Sequence, residues 1–293
     1  VDFSTETHIG IAFENIGWNV NRIPEQGLDW TRLASMSEGS DLLLWTRTAG
    51  FDPPDRQTQA DALAELSIPK VGYHLDRWWG LDRESWIDES PFFTSTDFLC
   101  TADGGHQEQW ASKGITHYWY PPAILSNEAV LGEYQRRNAC DVGFVGNLID
   151  YGHAEWAPYR RELYQYLKPK YNFRVFPSRG QPQIRGKNLA NLYASVKVLI
   201  GDSCLVGNAT HYWSDRIPET LGRGGYLIHP EVIGLNYPNL PTYPLGDFDK
   251  LGWLIDEALA DPMARETTAE INRLDVLDFH TYEHRLTDLV NRL

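Results

Sequence analysis

Short apolar runs alternate with amphipathic stretches along the chain. His8–Phe13 (HIGIAF), Asp41–Trp45 (DLLLW), Pro69–Tyr73 (PKVGY), Phe98–Thr101 (FLCT) and His117–Tyr120 (HYWY) read as strands, with helices over Asp61–Leu66 and Gln107–Lys113 between them. Strands alternating with helices predict βαβ units and a parallel sheet. Unbroken apolar strands fit a sheet covered on both faces. The pair Pro121–Pro122 ends this pattern, and the polar, irregular stretch Ala123–Ala139 reads as an interdomain linker. The pattern then restarts. Strands are expected at Asp141–Val145 (DVGFV), Asn172–Phe176, Val196–Ile200 (VKVLI) and Tyr226–Ile228. Helices are expected at Tyr159–Leu167, Asn188–Ala194, Pro218–Leu221 with a stop at Gly222, Phe248–Leu259 and His280–Leu293. The economical architecture is two α/β domains, over 1–135 and 136–279, with a helix over 280–293 packing back on the first. Ligands in such folds bind in the crevice at the carboxyl ends of the strands.

The 293 residues are 42% hydrophobic, which excludes a disordered chain. No run of about 18 apolar residues occurs, so no membrane span is expected. The first residues, VDFSTETHIG, lack the basic-then-apolar order of a signal peptide. Cys100, Cys140 and Cys204 are widely spaced and odd in number, with neither a disulfide framework nor zinc spacing. A cytoplasmic monomer or dimer is the expectation.

Charge is uneven within a formal net of -14. Residues 1–139 hold ten basic and 21 acidic side chains. Residues 158–187 hold eight basic ones against Glu162 alone, a local net of +7. Such a balance argues against a general nucleic-acid binder. It leaves room for one localized anion site or for a solvated basic helix and loop.

The most informative segment is Tyr212–Pro230, YWSDRIPETLGRGGYLIHP. Ser214 or Asp215 suits a helix N-cap, and Pro218 its first turn. A helix N-terminus offers free N–H groups to a phosphate, and Arg216 adds a planar cationic fork. Glu219, one turn beyond Asp215, is placed to accept two hydroxyl hydrogen bonds from a ribose diol. Gly222, Gly224 and Gly225 permit a tight turn into the next strand. A structural cap followed by a tight loop is the plain alternative.

This segment resembles the donor-binding region of GT-B glycosyltransferases of the group-1 and spore-maturation-like kind. Cys140–Leu167 (CDVGFVGNLIDYGHAEWAPYRRELYQYL) resembles the first strand, glycine turn and helix of their C-terminal domain, and Asn188–Ser203 (NLANLYASVKVLIGDS) the helix and strand before the donor loop. The resemblance covers about the last 150 residues. It implies two Rossmann-like domains with parallel sheets facing a central cleft, a nucleoside-diphosphate-sugar donor (UDP favoured, GDP as the other option), and no metal or other cofactor. By position, Glu219 would hold the ribose. Ser214, Asp215 and Arg216 would lie near the diphosphate or sugar, Gly146 and Asn147 would line the phosphate side, and Gly224 would shape the turn. Retaining members often carry another glutamate eight residues before the ribose glutamate; here that residue is His211, which counts against a retaining mechanism.

His153 and Glu155 in YGHAEW lack an evident third metal ligand, so His153 reads as a residue lining the cleft or its loop. In the first domain, GYHLDRWWG follows a strand, and His74 and Asp76 share a side if the chain stays extended. Asp76 fits the single base that an inverting transferase needs, with His74 beside it. Trp78 and Trp79 offer either a stacking surface or core. Asp103 and His106 flank a Gly-Gly turn that reads as an acceptor floor or a plain β-to-α turn. Glu14 is expected at the same edge, after the first strand. The favoured reading is an inverting glycosyltransferase acting on a hydroxyl of a small molecule, glycan or protein. A non-catalytic sugar-nucleotide or carbohydrate-binding protein and a transferase acting on a modified DNA base are the alternatives.

Overall fold

The computed structural model describes residues 4–46, 56–148, 156–178, 180–205 and 211–293. The first unit comprises α1 (Thr5–Asn15), α2 (Leu33–Met36), β1 (Leu43–Thr46), α3 (Arg56–Ala64), β2 (Lys70–His74), α4 (Trp86–Glu89), α5 (Pro91–Thr94), β3 (Phe98–Thr101), α6 (Gln107–Ser112) and β4 (His117–Trp119). Its strands form one parallel sheet in the order β1-β2-β3-β4. The second unit comprises β5 (Cys140–Val145), α7 (Ala157–Lys170), β6 (Phe173–Phe176), α8 (Gly186–Tyr193), β7 (Val196–Ile200), α9 (Arg216–Gly222), β8 (Leu227–Pro230), β9 (Thr242–Tyr243), α10 (Phe248–Ala260) and α11 (Pro262–Phe279); α12 (Tyr282–Arg292) ends the chain. Its parallel sheet runs β6-β5-β7-β8-β9. The winding reverses at β5, so a crevice opens beyond the carboxyl ends of β5 and β7.

Both sheets are sandwiched. Ile9, Phe13, Tyr73, Tyr282 and Leu286 share one core beside the first sheet, and the opposite core is built on Trp78, Trp110, Phe92 and Phe93. The second sheet likewise lies between two apolar clusters, one on α9 and α11, the other on α7 and α10. The helix α12 packs against α1, so the end of the chain returns to the first unit. Between the sheets, residues 123–139 hold only short turns at Ser126–Glu128 and Arg136–Asn138.

One expected strand is a helix. His8, Ile9, Ala12 and Phe13 are the buried residues of α1 together with Gly10, a one-sided stripe at helical spacing. Ser4 caps it, its hydroxyl accepting from the Thr7 N–H at 3.2 Å. A six-residue apolar run carries no period long enough to separate the two forms, and here burial against α12 decides. The two-residue strand β9 and the largely polar α11 were not expected. Asp261 caps α11 and Pro262 occupies its first turn, a start signal present in the sequence. Among the described residues no helix is long and apolar enough to cross a membrane. All three cysteines are free.

Candidate active site

Beyond β5 and β7 lies a cavity of about 550 Å³, a size typical of small-molecule sites. Gly146, Asn147, Asp215, Arg216 and Glu219 line it, joined by Arg185 and Tyr193. Gly146 has φ +131°, and a Cβ there would stand 2.7 Å from Arg216 Nη2. Only glycine lets the chain pass so close beneath the guanidinium.

Arg216 is fixed by four acceptors, the longest contact being Nη1 to Ser214 Oγ at 3.5 Å. Its Nε donates to the Val145 carbonyl at 2.8 Å, and its Nη1 to the Asp202 carbonyl at 3.0 Å and to Asp202 Oδ1 at 2.8 Å. Asp202 is fully buried just past β7. It also accepts from Arg160 Nε at 2.5 Å, Arg160 Nη2 at 3.0 Å and Trp156 Nε1 at 2.9 Å. Arg160 Nη1 in turn donates to the Asn147 carbonyl. Burial pushes the Asp202 carboxyl up, yet Arg216 and Arg160 outweigh it and hold the group below the usual carboxylate range. This network ties α7, β7 and α9 to the glycine turn after β5. Sequence reasoning missed its centre, Asp202, and read Arg160 as largely solvent-facing; Arg160 is buried, on the same helix face as Leu163 and Leu167. An arginine at an apolar-face position was the available signal.

Glu219 sits sunk beside Asp215 and Tyr193. Burial, then the Asp215 charge, pushes its carboxyl up to about 7. Asp215 occupies the N-cap position of α9 but makes no side-chain cap bond, which leaves its carboxylate exposed at the cavity rim. If Glu219 holds a diol as an anion, affinity for a diol-bearing ligand rises with pH. Its ionised fraction grows from about one-tenth at pH 6 to about nine-tenths at pH 8, a gain of roughly ninefold. Calorimetric titration across that range checks this, and Glu219→Gln should flatten the profile and weaken binding about tenfold. Likewise, Gly146→Ala is expected to weaken a ligand bound in this cavity about tenfold, through backbone strain and displacement of Arg216.

The remaining expected residues fall in different places. Ser214 lies behind Arg216, its Oγ donating to the Asp202 carbonyl at 3.2 Å. Gly224 is at the far end of α9, where a Cβ would meet Leu131 at 2.6 Å, away from the cavity. His153 lies outside the described residues. Glu14 stands on α1, not after a strand, and pairs with Arg22 at 2.8 Å on the surface.

Across the cleft, Asp76 follows β2 and its side chain is 49% exposed, with Arg83 Nη1 at 3.6 Å. His74 is buried; its Nδ1 accepts from the Asp76 N–H at 2.9 Å and from Trp78 Nε1 at 3.0 Å, so the neutral ring carries its proton on Nε2. His74 thus shapes the turn that carries Asp76. Trp78 is wholly buried and Trp79 nearly so; both belong to the core and offer no stacking face. Asp103 Oδ2 accepts from the Trp78 and Trp79 N–H groups, each at 2.8 Å. Its Oδ1 has no partner within hydrogen-bond reach, and His106 Nε2 stands 3.7 Å away. Burial drives the Asp103 carboxyl up and the His106 imidazole down.

The first unit's loop touches the second. The Gly104 N–H donates to the His211 carbonyl at 3.1 Å, and a Cβ on Gly104 would lie 2.7 Å from His211 and Trp119. His211 adopts φ +55°, the one described non-glycine residue in the left-handed region. Trp119 packs edge-on against both His211 and Trp213. Burial first, then the Asp76 charge, raises the Tyr212 phenol well above its ordinary value. The structure therefore brings Asp76 and Asp103 to the segment that leads into α9.

The model of the family described as Glycosyl transferase-like matches residues 144–291, half of the chain. A comparison with curated protein sequences returns no match. Among solved structures, Anabaena Alr3699/HepE in complex with UDP and glucose superposes with a TM-score of 0.57 at 9% identity, over 90% of this chain and 81% of that one. A trehalose-6-phosphate synthase studied for glycosyl transfer with retention gives 0.58 at 12% identity, over 96% and 81%. An alpha-glucosyltransferase in complex with UDP and a 13-mer DNA containing an HMU base gives 0.56 at 9%, over 86% and 80%. At such identities the likeness is one of fold, and that fold is GT-B. With two parallel sheets facing a crevice and the family match across the second of them, the chain belongs to the glycosyl transferase-like family and is a glycosyltransferase.

Proposed function

We propose that the protein transfers a sugar from a UDP-sugar to a hydroxyl acceptor with inversion, Asp76 serving as the base. The observation that carries this reading is the cavity beyond β5 and β7, where a half-buried carboxylate, a braced guanidinium and bare glycine backbone converge. Glu219 takes the ribose diol, while Arg216 and Arg185 face the diphosphate and stabilise the charge that grows on it as it leaves. The acceptor oxygen attacks the anomeric carbon, the bond from that carbon to the diphosphate oxygen breaks, and the acceptor proton passes to Asp76. Asp76 is half-exposed at the end of β2, with Arg83 Nη1 at 3.6 Å. Asp103 and His106 form the adjoining acceptor floor. UDP is preferred to GDP because two of the neighbours were crystallised with it.

One neighbour was crystallised with a 13-mer DNA containing an HMU base, but ten basic against 21 acidic residues over 1–139 would repel a phosphate backbone. A small molecule, glycan or protein hydroxyl is the favoured acceptor. Calorimetry with UDP and GDP tests the donor. Absence of binding to either at millimolar concentration overturns the reading. Proton NMR of the anomeric centre in the product, or in hydrolysed donor, tests the stereochemistry. Retention would remove Asp76 from its role.

A further inference from the structure

A second hollow of about 400 Å³ lies on the outer face of the second unit, between α7 and α10, lined by none of the residues of the donor cavity. Its floor is Gly252, inside α10, where a Cβ would come within 2.2 Å of the Tyr166 hydroxyl oxygen. A glycine in a helix interior costs about 1 kcal/mol against alanine, and here it lets Tyr166 approach the helix backbone. Trp253 forms one wall and is 52% exposed, unusual for the largest side chain. The Tyr171 hydroxyl donates to Asp256 Oδ1 at 3.1 Å, which orients that carboxylate, and Asp249 stands on the same rim.

Cations already occupy the aromatic faces. Lys170 Nζ lies 3.7 Å from the Tyr166 ring centroid, and Lys250 Nζ lies 3.8 Å from that of Trp253. Trp253 lines the hollow, whereas Lys250 does not. Two carboxylates against Lys170 leave the lining net negative, which disfavours an anionic ligand. The chemistry that remains is a neutral polyhydroxylated ring: its C–H face stacks on Trp253 while its hydroxyls donate to Asp249 and Asp256. We propose that this hollow is a second carbohydrate-binding site that holds a neutral oligosaccharide apart from the reacting centre. It does not depend on the donor reading.

The test is a glycan array of neutral and acidic oligosaccharides probed with the full chain, with Trp253→Ala and with Asp249→Asn/Asp256→Asn, with UDP-glucose affinity measured in parallel. The expected result is retention of neutral glycans that falls at least tenfold in both variants, with UDP-glucose affinity within twofold of the parent. Because Trp253 is exposed, unchanged UDP-glucose binding also reports an intact fold. Absence of any glycan signal that depends on Trp253 overturns the proposal. So does a signal lost in Glu219→Gln but kept in Trp253→Ala, which would place the glycan in the donor cleft.

Discussion

Asp202→Ala is expected to lower the thermal midpoint by roughly 10 °C and to weaken UDP-glucose by about two orders of magnitude. The reason is what it strands. Asp202 is the shared acceptor of Arg160, Arg216 and Trp156, and without it both guanidinium groups lose the buried carboxylate they share. Removing one partner of a buried ionic cluster costs about 3–5 kcal/mol, far more than the cluster contributes against an apolar replacement. Arg216 then loses one of the contacts that aim it at the cavity, and Arg160 its hold on the Asn147 turn. The pH dependence follows from the sign of the shift. The folded group titrates below its ordinary 3.8, so its stabilisation is fully present above that value and is lost as pH falls through the lower, folded value. Differential scanning calorimetry at pH 7 and at pH 3 checks both statements. Asp202→Asn, which keeps one accepting oxygen but sets an amide NH2 against donors at the other and removes the charge, should also lose stability and show a flatter acid limb. A midpoint unchanged in Asp202→Ala would mean that the arginines find other partners.

The second large effect concerns Asp76. Asp76→Asn should lower turnover by about 10³-fold and leave UDP-glucose affinity within twofold, the pattern of a group needed only once the acceptor proton moves. The asparagine keeps the main-chain N–H that donates to His74, so the turn survives. Single-turnover kinetics beside equilibrium titration separates the two quantities. His74→Gln makes a useful contrast: it unsettles the buried turn and should cost stability as well as rate, because His74 receives hydrogen bonds from both Asp76 and Trp78. Loss of affinity equal to the loss of rate in Asp76→Asn would assign Asp76 to donor binding.

How far the residues foretold this molecule varies with the range of the forces involved. β3 and β7 are short, mostly apolar runs, and they occur where the pattern put them, at Phe98–Thr101 and Val196–Ile200. The turn after β5 and the α9 segment were legible because glycine, arginine and glutamate stand close together in the chain. HIGIAF was not, since its form depends on α12, far along the sequence. The same holds for Trp78 and Trp79, whose burial follows from residues around 86–110 packing over them. Asp202 meets Arg160 across 42 positions. No local pattern announces such a pair, only the oddity of an arginine on the apolar side of α7.

The chain crosses between its two halves twice, once after β4 and once before α12. Those crossings are bound together: Ile124 bridges Thr281, the Ile124 N–H donates to the His280 carbonyl at 3.1 Å, and the Tyr282 N–H donates to the Ile124 carbonyl at 3.0 Å. Glu283 closes the joint by accepting from the Ser126 hydroxyl at 2.6 Å. Two covalent links fused at one place act as a spine. With the halves tied along that line, the Gly104–His211 contact is a second tie between them, like a clasp opposite the spine of a book. Parting the halves at that edge would break this backbone hydrogen bond together with the edge-on packing of Trp119 on His211 and Trp213.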